Sequence, residues 1–371
     1  MIDNPTPIVN VGIIGCGEVT QVVHIPTLGH LSDLFRITYL CDISKAALQF
    51  CSQKVNNHVP KTTTDPAVLC ASTEVDVVLV VNSDEYHVSH AILALEAGKF
   101  VFVEKPMALT QRDVETLIKA EQNAPGKVMV GYMRRYAAAF TDALKEIGGL
   151  EKITYARVRD IIGPNSTFVS QSATFPKRFD DFTPEDSQDK ASRAAEISEQ
   201  ALRQECNVPV TPESARMWRV LGGLGSHDLS VMREALGVPT KVLGSHLNFP
   251  MWSVLFEYPG FAVVYESGID NIPRFDAHLE IYSSSKVIRV QYDTPYIKGL
   301  PVTMHIVENV DGAYHETTIR KTYEDPYTLE MKELYKLIVE GKLVKTTVAD
   351  AAKDLEIFRM IMRSGFGQAG K

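Results

Sequence analysis

The 371-residue sequence has no basic tract and no long apolar run. Its formal net charge of −8 argues against nucleic-acid binding, which requires a positive surface to neutralise phosphates. No uninterrupted apolar stretch approaches the roughly 20 residues that a membrane span needs. The opening residues, MIDNPTPIVN, carry neither a basic nor an apolar segment and do not resemble a signal peptide. We therefore expect no nucleic-acid partner and no membrane partner.

Cysteine is also scarce, and the sequence lacks the patterns of a metal site and of a serine-hydrolase site. Five cysteines, an odd number, are scattered without metal-ligand spacing, which predicts reduced thiols and a cytoplasmic location. No cluster of histidine, cysteine and carboxylate residues has the spacing of a metal site, so we predict no bound metal. No Gly-x-Ser-x-Gly elbow is present, so the common serine-hydrolase arrangement is absent. The cysteines are Cys16, Cys41, Cys51, Cys70 and Cys206.

The first third of the chain alternates between strand-like and helix-like segments. A chain of this length suits two domains, because single cores stop growing at roughly 250–300 residues. The valine run VDVVLVV at 75–81 is typical of a parallel strand that is covered on both faces. The alternation predicts a dinucleotide-binding Rossmann domain at 1–136, with a doubly wound parallel sheet. Its other strand candidates are 8–14, 35–42, FVFVEKP and KVMVGYMRRY.

The remainder, 137–371, has a different rhythm and predicts an α/β substrate-binding and oligomerisation domain. Eight strand-like segments follow one another almost without helices, and one hairpin is expected around Pro259 and Gly260. These features predict a large, mostly antiparallel open sheet, with two helices closing the chain. Between the first and the second of these strand-like segments, the polar stretch 164–216 has a helical centre and is too long for a plain connection. We interpret it as an insertion that forms a lid, an interface arm or a mobile loop.

The stretch Gly15-Cys16-Gly17-Glu18-Val19-Thr20 follows the first strand and resembles a dinucleotide fingerprint. Gly15 permits a tight turn, and Gly17 lets backbone amides approach a pyrophosphate at the start of the next helix. The cofactor-binding residues predicted here are Gly15, Gly17, Glu18 and Val19. Thr20 departs from the small third residue of the pattern, which would set the helix slightly farther from the strand. A plain strand-to-helix turn is the alternative.

Asp42 ends the second strand, where a carboxylate can accept hydrogen bonds from the adenosine ribose hydroxyls. No arginine follows it to hold a 2′-phosphate, since position 43 is Ile43. We therefore predict NAD as the cofactor, with NADP possible because Lys45 is near. The alternative role for Asp42 is a helix N-terminal acid.

Further segments carry a resemblance to a known family. His24 and Pro26 follow the glycine loop, VNSDEYHVSHAILALEAGKFVFVEKPMALT leads to a Glu-Lys-Pro triplet, and VGYMRRY follows. Together with the ending TTVADAAKDLEIFRMIMRSG, these segments resemble the glucose–fructose oxidoreductase and inositol dehydrogenase family (Gfo/Idh/MocA). The resemblance is dense over 8–136 and weak over 160–215.

The resemblance implies a nicotinamide cofactor held between a Rossmann domain and a C-terminal α/β domain. It also implies hydride transfer at a hydroxyl or carbonyl carbon of a sugar, polyol or related ring, and a homodimer or homotetramer. An uncovered apolar face of the second sheet would pair with its copy in such an assembly. The implied cofactor residues in the second segment are Asn82, His87, Glu104 and Lys105.

Lys105 is the first catalytic candidate. It follows Glu104 at the C-terminal end of a strand, where open α/β sheets place their ligands. The resemblance implies a cis bond before Pro106, which would aim the lysine at the substrate. An ammonium group there can polarise a carbonyl or hold an alkoxide. The alternative is a surface Glu-Lys pair of little energetic consequence.

His227 is the second catalytic candidate, since the family uses this histidine as its proton acceptor. The family's acid four residues earlier is replaced by Gly223, and the acid three residues later by Ser230. An imidazole titrates near neutrality and can transfer protons without that acid. Asp228, Asp160 or a residue of the insertion could replace the acid, and a structural histidine is the alternative.

The substrate side is the least defined part of the sequence. Tyr136, Asp160 and Trp218 are predicted substrate residues, although a core role for Trp218 is an equal alternative. Arg134 and Arg135 are interpreted either as a charged hinge surface or as substrate contacts.

Two other functions compete with the dehydrogenase. One is a non-catalytic protein of the same fold that senses a dinucleotide, and the loss of the acid at Gly223 favours it. The other is an NAD-dependent glycosidase, which nothing in the sequence requires.

Overall fold

The computed structural model describes residues 7–56 and 58–367. The segment assessed for a signal peptide therefore lies mostly outside the described residues. The chain divides into two compact units, each assembled from three segments of sequence. The predicted domain ranges, 1–136 and 137–371, stay a prediction. The first unit comprises Met1–Gly131, Ser172–Ile197 and Glu330–Ala352, and the second Tyr132–Gln171, Ser198–Leu329 and Lys353–Lys371.

The first unit contains a six-stranded sheet whose paired strands are all parallel. The strand order is 3-2-1-4-5-6, so the order reverses beside β1, as in dinucleotide-binding sheets. The predicted Rossmann fold is confirmed. The strands are β1 (Val9–Ile14), β2 (Phe35–Cys41), β3 (Lys61–Thr63), β4 (Val77–Val80), β5 (Phe100–Glu104) and β6 (Val128–Gly131).

Five helices accompany these strands, and polar caps fix where several of them begin. The side chains of Ser44, Asp65 and Thr110 each accept a backbone N–H of the first turn that follows. Gly98 has φ +74° just after α4, the left-handed conformation that is common at helix ends. The helices are α1 (Ile25–His30), α2 (Lys45–Ser52), α3 (Pro66–Ala71), α4 (His87–Glu96) and α5 (Gln111–Gln122).

Eight more α-helices follow within the part of the chain that the structure describes. The two helices expected at the chain end and the helical centre of the insertion are confirmed. The sequence analysis did not predict α3, α7 or the short strand β3. The helices are α6 (Met133–Tyr136), α7 (Ala138–Gly148), α8 (Asn165–Ser170), α9 (Pro184–Ser198), α10 (Pro212–Val220), α11 (Ser226–Leu236), α12 (Pro326–Glu340) and α13 (Val348–Phe366).

The second unit contains an eight-stranded sheet in the order 14-13-12-11-7-10-9-8. Only β7 and β10 pair in parallel, which confirms the mostly antiparallel prediction. The predicted hairpin is present, with Tyr258 opposite Phe261 and Gly260 at φ +86°. The strands are β7 (Ile153–Ile162), β8 (Lys241–Asn248), β9 (Met251–Tyr258), β10 (Phe261–Ile269), β11 (Phe275–Ser283), β12 (Lys286–Tyr292), β13 (Thr303–Val310) and β14 (Ala313–Ile319).

The centre of this sheet presents a charged face. Arg159 on β7 lies 2.6 Å from Glu266 on β10 and 3.1 Å from Asp276 on β11. The expectation of an uncovered apolar face is therefore wrong for this part of the sheet, because polar residues alternate with the buried ones along these strands. None of the described helices combines the length and apolarity needed to cross a membrane.

Candidate functional site

The glycine loop after β1 has one glycine that the backbone requires and another that leaves space. Gly15 has φ +106°, and a Cβ atom there would lie 2.6 Å from the backbone nitrogen of Asn82. Any larger residue would therefore push apart the ends of β1 and β4. A Cβ atom on Gly17 would meet nothing within 4 Å. The loop is thus tight against the sheet at Gly15 and open at Gly17, as phosphate binding requires.

The helical segment after the loop begins directly at it. Thr20 is fully buried, and its hydroxyl donates a hydrogen bond to the Gly15 carbonyl at 2.6 Å. The departure from a small third residue therefore adds a contact that closes the loop. At a helix start the first amides have no carbonyl partner within the helix. The amides of Glu18 and Val19 occupy this position and are suited to bind an anion.

Asp42 is joined to the glycine loop by a hydrogen bond. Its Oδ2 accepts from the Cys16 amide at 2.7 Å, and its Oδ1 accepts from the Ser44 amide at 2.8 Å. Burial raises the pKa of the Asp42 carboxyl, although these two backbone hydrogen bonds oppose that shift. The carboxylate predicted to bind the ribose therefore lies beside the loop predicted to bind the pyrophosphate.

His87 connects the ends of β4 and β5. Its Nδ1 lies 2.8 Å from the carbonyl oxygen of Pro106, and its Nε2 lies 3.1 Å from that of Asn82. The Asn82 side chain in turn donates to Nδ1 of His90 at 3.0 Å. Burial, together with the charges of His87 and Arg193, lowers the pKa of His90 to about 4, so His90 is neutral and can accept this bond. The structure thus brings Asn82 and His87, two predicted cofactor residues, together.

Glu104 is buried at the end of β5 and is not the surface residue of the alternative interpretation. Its Oε1 lies 2.9 Å from Nε2 of His24, and its Oε2 accepts from the Lys105 amide at 3.2 Å. Burial alone would raise the pKa of Glu104, but the hydrogen bond and charge of His24, with Lys105 and His87, lower it overall. The bond between Lys105 and Pro106 is cis, as the resemblance implied.

His24 is a residue whose role the sequence reasoning missed. It appeared only as part of the resemblance, yet it is fully buried and holds Glu104 at the base of the Lys105 turn. The edge of its ring also packs on Phe102 of β5, with 5.6 Å between ring centres. A polar residue inside an otherwise apolar run was the available signal.

In the second unit, Arg134 lies between two buried carboxylates. Its Nη1 donates to Asp228 and lies 3.2 Å from Oδ2 of Asp160. Its guanidinium also lies over the rings of Phe275 and Tyr292, with 5.5 and 5.4 Å to the ring centres. Burial raises the pKa of Asp228 well above its usual range; Arg134 opposes this shift and Asp160 adds to it. We call Arg134, Asp160 and Asp228 the arginine cluster.

The charged hinge surface proposed for Arg134 and Arg135 is wrong, because both residues are buried. Arg135 donates to Glu234 at 2.5 Å. Asp354 accepts hydrogen bonds from Tyr132 and from Arg233, each at 2.5 Å. Sequence reasoning missed these partners, since they are 94 to 222 residues apart along the chain.

His227 is half-buried in the first turn of α11. Its carbonyl oxygen accepts a hydrogen bond from the Ser230 hydroxyl at 3.2 Å. A Cβ atom on Gly223 would meet nothing within 4 Å, so there is room for the start of the acidic side chain that the family carries there. Asp228 and Asp160, the candidate replacements for that acid, are both engaged by Arg134.

Trp218 is fully buried, and its ring meets Phe358 edge-on with 5.8 Å between centres. This placement favours the core role over stacking on a substrate. Tyr136 is largely buried at the end of α6, and Asp160 is fully buried. Over the described ranges, no three histidine, cysteine or carboxylate residues converge in a way that could hold a metal ion.

Sequence comparison with known proteins finds relatives for the N-terminal part of the chain. Residues 9–132 match a family model described as an oxidoreductase family with an NAD-binding Rossmann fold, GFO_IDH_MocA. Inositol 2-dehydrogenase of Paracoccus denitrificans is 32% identical over 157 residues, which is 40% of this chain and 45% of that protein. The chain thus spans less than half the length of the curated relatives it matches. The predicted nicotinamide cofactor is confirmed by the family match.

Two solved structures are similar over nearly the whole chain. A levoglucosan dehydrogenase in complex with NADH and levoglucosan has a TM-score of 0.72 at 15% identity, covering 96% of this chain and 97% of that one. A 3-ketoreductase from Actinomadura kijaniata in complex with NADP and TDP-benzene has a TM-score of 0.71 at 13% identity, covering 97% and 98%. At these identities the likeness shows the fold of the second unit as well as the first, and it assigns no activity.

Proposed function

We propose that this chain, which belongs to the Gfo/Idh/MocA oxidoreductase family through residues 9–132, is a nicotinamide-dependent dehydrogenase acting on a CH–OH group of a sugar, polyol or related ring. The observation that carries the proposal lies at the carboxyl edge of the parallel sheet. There the open Gly17 loop, Asp42 and Lys105 follow β1, β2 and β5, and the ends of parallel strands share one edge. The inositol 2-dehydrogenase relatives support the substrate class.

The residues of the first unit fit a dinucleotide. The amides after Gly17 would hold its pyrophosphate, Asp42 its adenosine ribose, and Asn82 with His87 the walls near its other end. A nicotinamide, when bound, accepts or supplies the hydride of the reaction. We assign NAD rather than NADP, because the Asp42 carboxylate would repel a 2′-phosphate.

Lys105 would contact the reacting oxygen of the substrate. Its ammonium group favours an alkoxide over a neutral hydroxyl, and so stabilises charge that develops as the C–H bond breaks. His24 and Glu104 position the backbone from which Lys105 projects, because Glu104 accepts the Lys105 amide and is itself held by His24. His227 would accept the hydroxyl proton of the substrate and pass it to solvent.

Self-association and location follow as lesser parts of the proposal. We expect a homodimer or homotetramer, the assembly that the resemblance to the family implies. Light scattering at micromolar concentration tests this, and a monomeric mass contradicts it. All five cysteines are free and buried, which supports a reducing, cytoplasmic environment.

The dehydrogenase is tested by incubating the chain with NAD and a panel of sugars and polyols, and following NADH absorbance. Turnover with at least one of them is expected, and Lys105→Ala should abolish most of it. Tight NADH binding without turnover on any compound would favour the dinucleotide sensor. Hydrolysis of a glycoside without net NADH would favour the glycosidase. The names of the matched relatives favour the dehydrogenase over both.

A further inference from the structure

The segment Ser172–Ile197, which we call the strap, belongs to the first compact unit although it lies in the insertion. Gln21, in the helical segment after the glycine loop, ties the strap to that loop. Its Nε2 donates to the carbonyl oxygens of Cys16 at 2.8 Å and Lys177 at 3.0 Å, while its Oε1 accepts the Lys177 amide at 2.8 Å. One side chain therefore holds the glycine loop and the strap together.

Two more contacts extend the strap along α2. Lys54 donates to the Thr174 carbonyl at 3.0 Å, and the rings of Phe50 and Phe179 are 5.6 Å apart. The strap therefore runs from the end of α2 towards its start, over the side of the sheet where Asp42 lies. This path places residues of the insertion at the predicted adenosine end of the dinucleotide site.

Asp181 is the strap residue that reaches the turn between β2 and α2. Its Oδ1 accepts from the Ser44 hydroxyl, and its Oδ2 accepts from the Ala46 amide at 3.0 Å. Ser44 also donates its own amide to Asp42, so the two carboxylates share one short turn between β2 and α2. Burial is the largest cause of the raised pKa of Asp42, and the hydrogen bonds from the Cys16 and Ser44 amides oppose it. The charge of Asp181 is close enough to add a smaller contribution that also raises this pKa.

We infer that Asp181 is a second determinant of cofactor choice, acting with Asp42 to exclude a 2′-phosphorylated nucleotide. The inference rests on the proposed function. A 2′-phosphate at the ribose next to Asp42 would meet two carboxylates instead of one, and like charges at such range repel. It would also find the Ser44 hydroxyl and the Ala46 amide already occupied by Asp181. A residue of the insertion, outside the Rossmann alternation, thus contributes to selection for NAD.

The test uses the full chain and two probes that differ only in the 2′-phosphate, adenosine 5′-monophosphate and adenosine 2′,5′-bisphosphate. Calorimetric dissociation constants are measured for wild type, Asp181→Asn and Asp180→Asn. Asp180 is the matched control, because it is an exposed neighbour whose substitution changes the net charge equally. We expect Asp181→Asn to shift the affinity ratio towards the bisphosphate by about five- to fiftyfold, and Asp180→Asn to leave it nearly unchanged.

A second variant, Asp181→Lys, should enlarge the shift in the same direction, and added salt should reduce it. Equal ratios in wild type and both Asp181 variants would overturn the inference and leave the proposed function intact. An equal shift in Asp180→Asn would also overturn it, since any lost charge would then suffice. If wild type binds neither probe nor NADH, the proposed function fails together with the inference.

Discussion

The glycine loop with Asp42, in the first unit, and the arginine cluster, in the second unit, use charged and polar residues in different ways. At the glycine loop, Gly17 leaves open space and Asp42 accepts hydrogen bonds from two backbone amides. In the cluster, Asp160 and Asp228 are buried against a single guanidinium. The first arrangement leaves its groups able to receive a ligand, whereas the second pairs opposite charges with one another inside the fold.

This difference separates residues that bind from residues that hold the fold. Both carboxylates of the cluster had been candidates for the missing catalytic acid near His227. Arg134 engages both of them inside the fold, and removing Arg134 would leave them buried without a counter-ion. We therefore propose that Lys105 and His227 carry the chemistry, whereas Arg134 and its partners stabilise the fold.

The largest expected effect is on turnover at Lys105. Lys105→Ala should lower kcat by about 100- to 10,000-fold, the range for a positioned acid–base group, because the alkoxide loses its ammonium partner. Steady-state kinetics on the substrate found in the screen measure this. Lys119→Ala, an exposed lysine on α5, is the control and should retain wild-type turnover. Near wild-type kcat in Lys105→Ala would remove Lys105 from the chemistry.

The next effect is on stability at the arginine cluster. Arg134→Ala should lower the free energy of unfolding by about 3–5 kcal/mol, since it leaves two buried carboxylates without their cation. Arg159→Ala is the matched control, because Arg159 also lies between two carboxylates but is part-exposed. Its loss should be about 0–1 kcal/mol. Equal losses in urea unfolding of the two variants would contradict the distinction between buried and exposed pairs.

Much of this contrast could be predicted from the sequence for the first unit and little for the second. Gly15, Gly17 and Asp42 lie at strand ends, which local periodicity reveals. Arg134 meets Asp228 across 94 residues, and Asp181 meets Ser44 across 137. No local pattern marks such pairs, because they depend on how distant segments pack. The eight strands of the second sheet were predictable from alternation, but the charged character of its face was not.

A smaller effect concerns the pH dependence of His227. Gly223→Asp places a carboxylate one helical turn before His227, at a position with room for it. The negative charge of the new carboxylate favours the imidazolium form of His227. Since the neutral imidazole is the base, the acid limb of kcat/KM against pH should move upwards. His227→Ala should remove that limb while leaving NADH affinity unchanged; an unmoved limb in Gly223→Asp would contradict the role.

The smallest effect is the pH dependence of stability at Asp228. Burial raises the pKa of Asp228 well above its ordinary value of 3.8, so the folded state binds a proton that the unfolded state releases. Stability from this group is therefore lost as pH rises above about 4. Asp228→Asn should flatten the fall in unfolding free energy as the pH rises above about 4. Asp276→Asn on the exposed face is the control, and parallel curves for wild type and Asp228→Asn would contradict the assignment.

The central claim, that the open side of the glycine loop receives a dinucleotide, is tested most directly at Gly17. Gly17→Val should fold normally, because its Cβ would meet nothing within 4 Å, yet the added methyl groups fill the space that the pyrophosphate needs. Calorimetry should show NADH binding weakened by at least about tenfold. Gly29→Val, at an exposed glycine on α1, should bind as wild type does. Unchanged NADH affinity in a folded Gly17→Val protein would contradict the account.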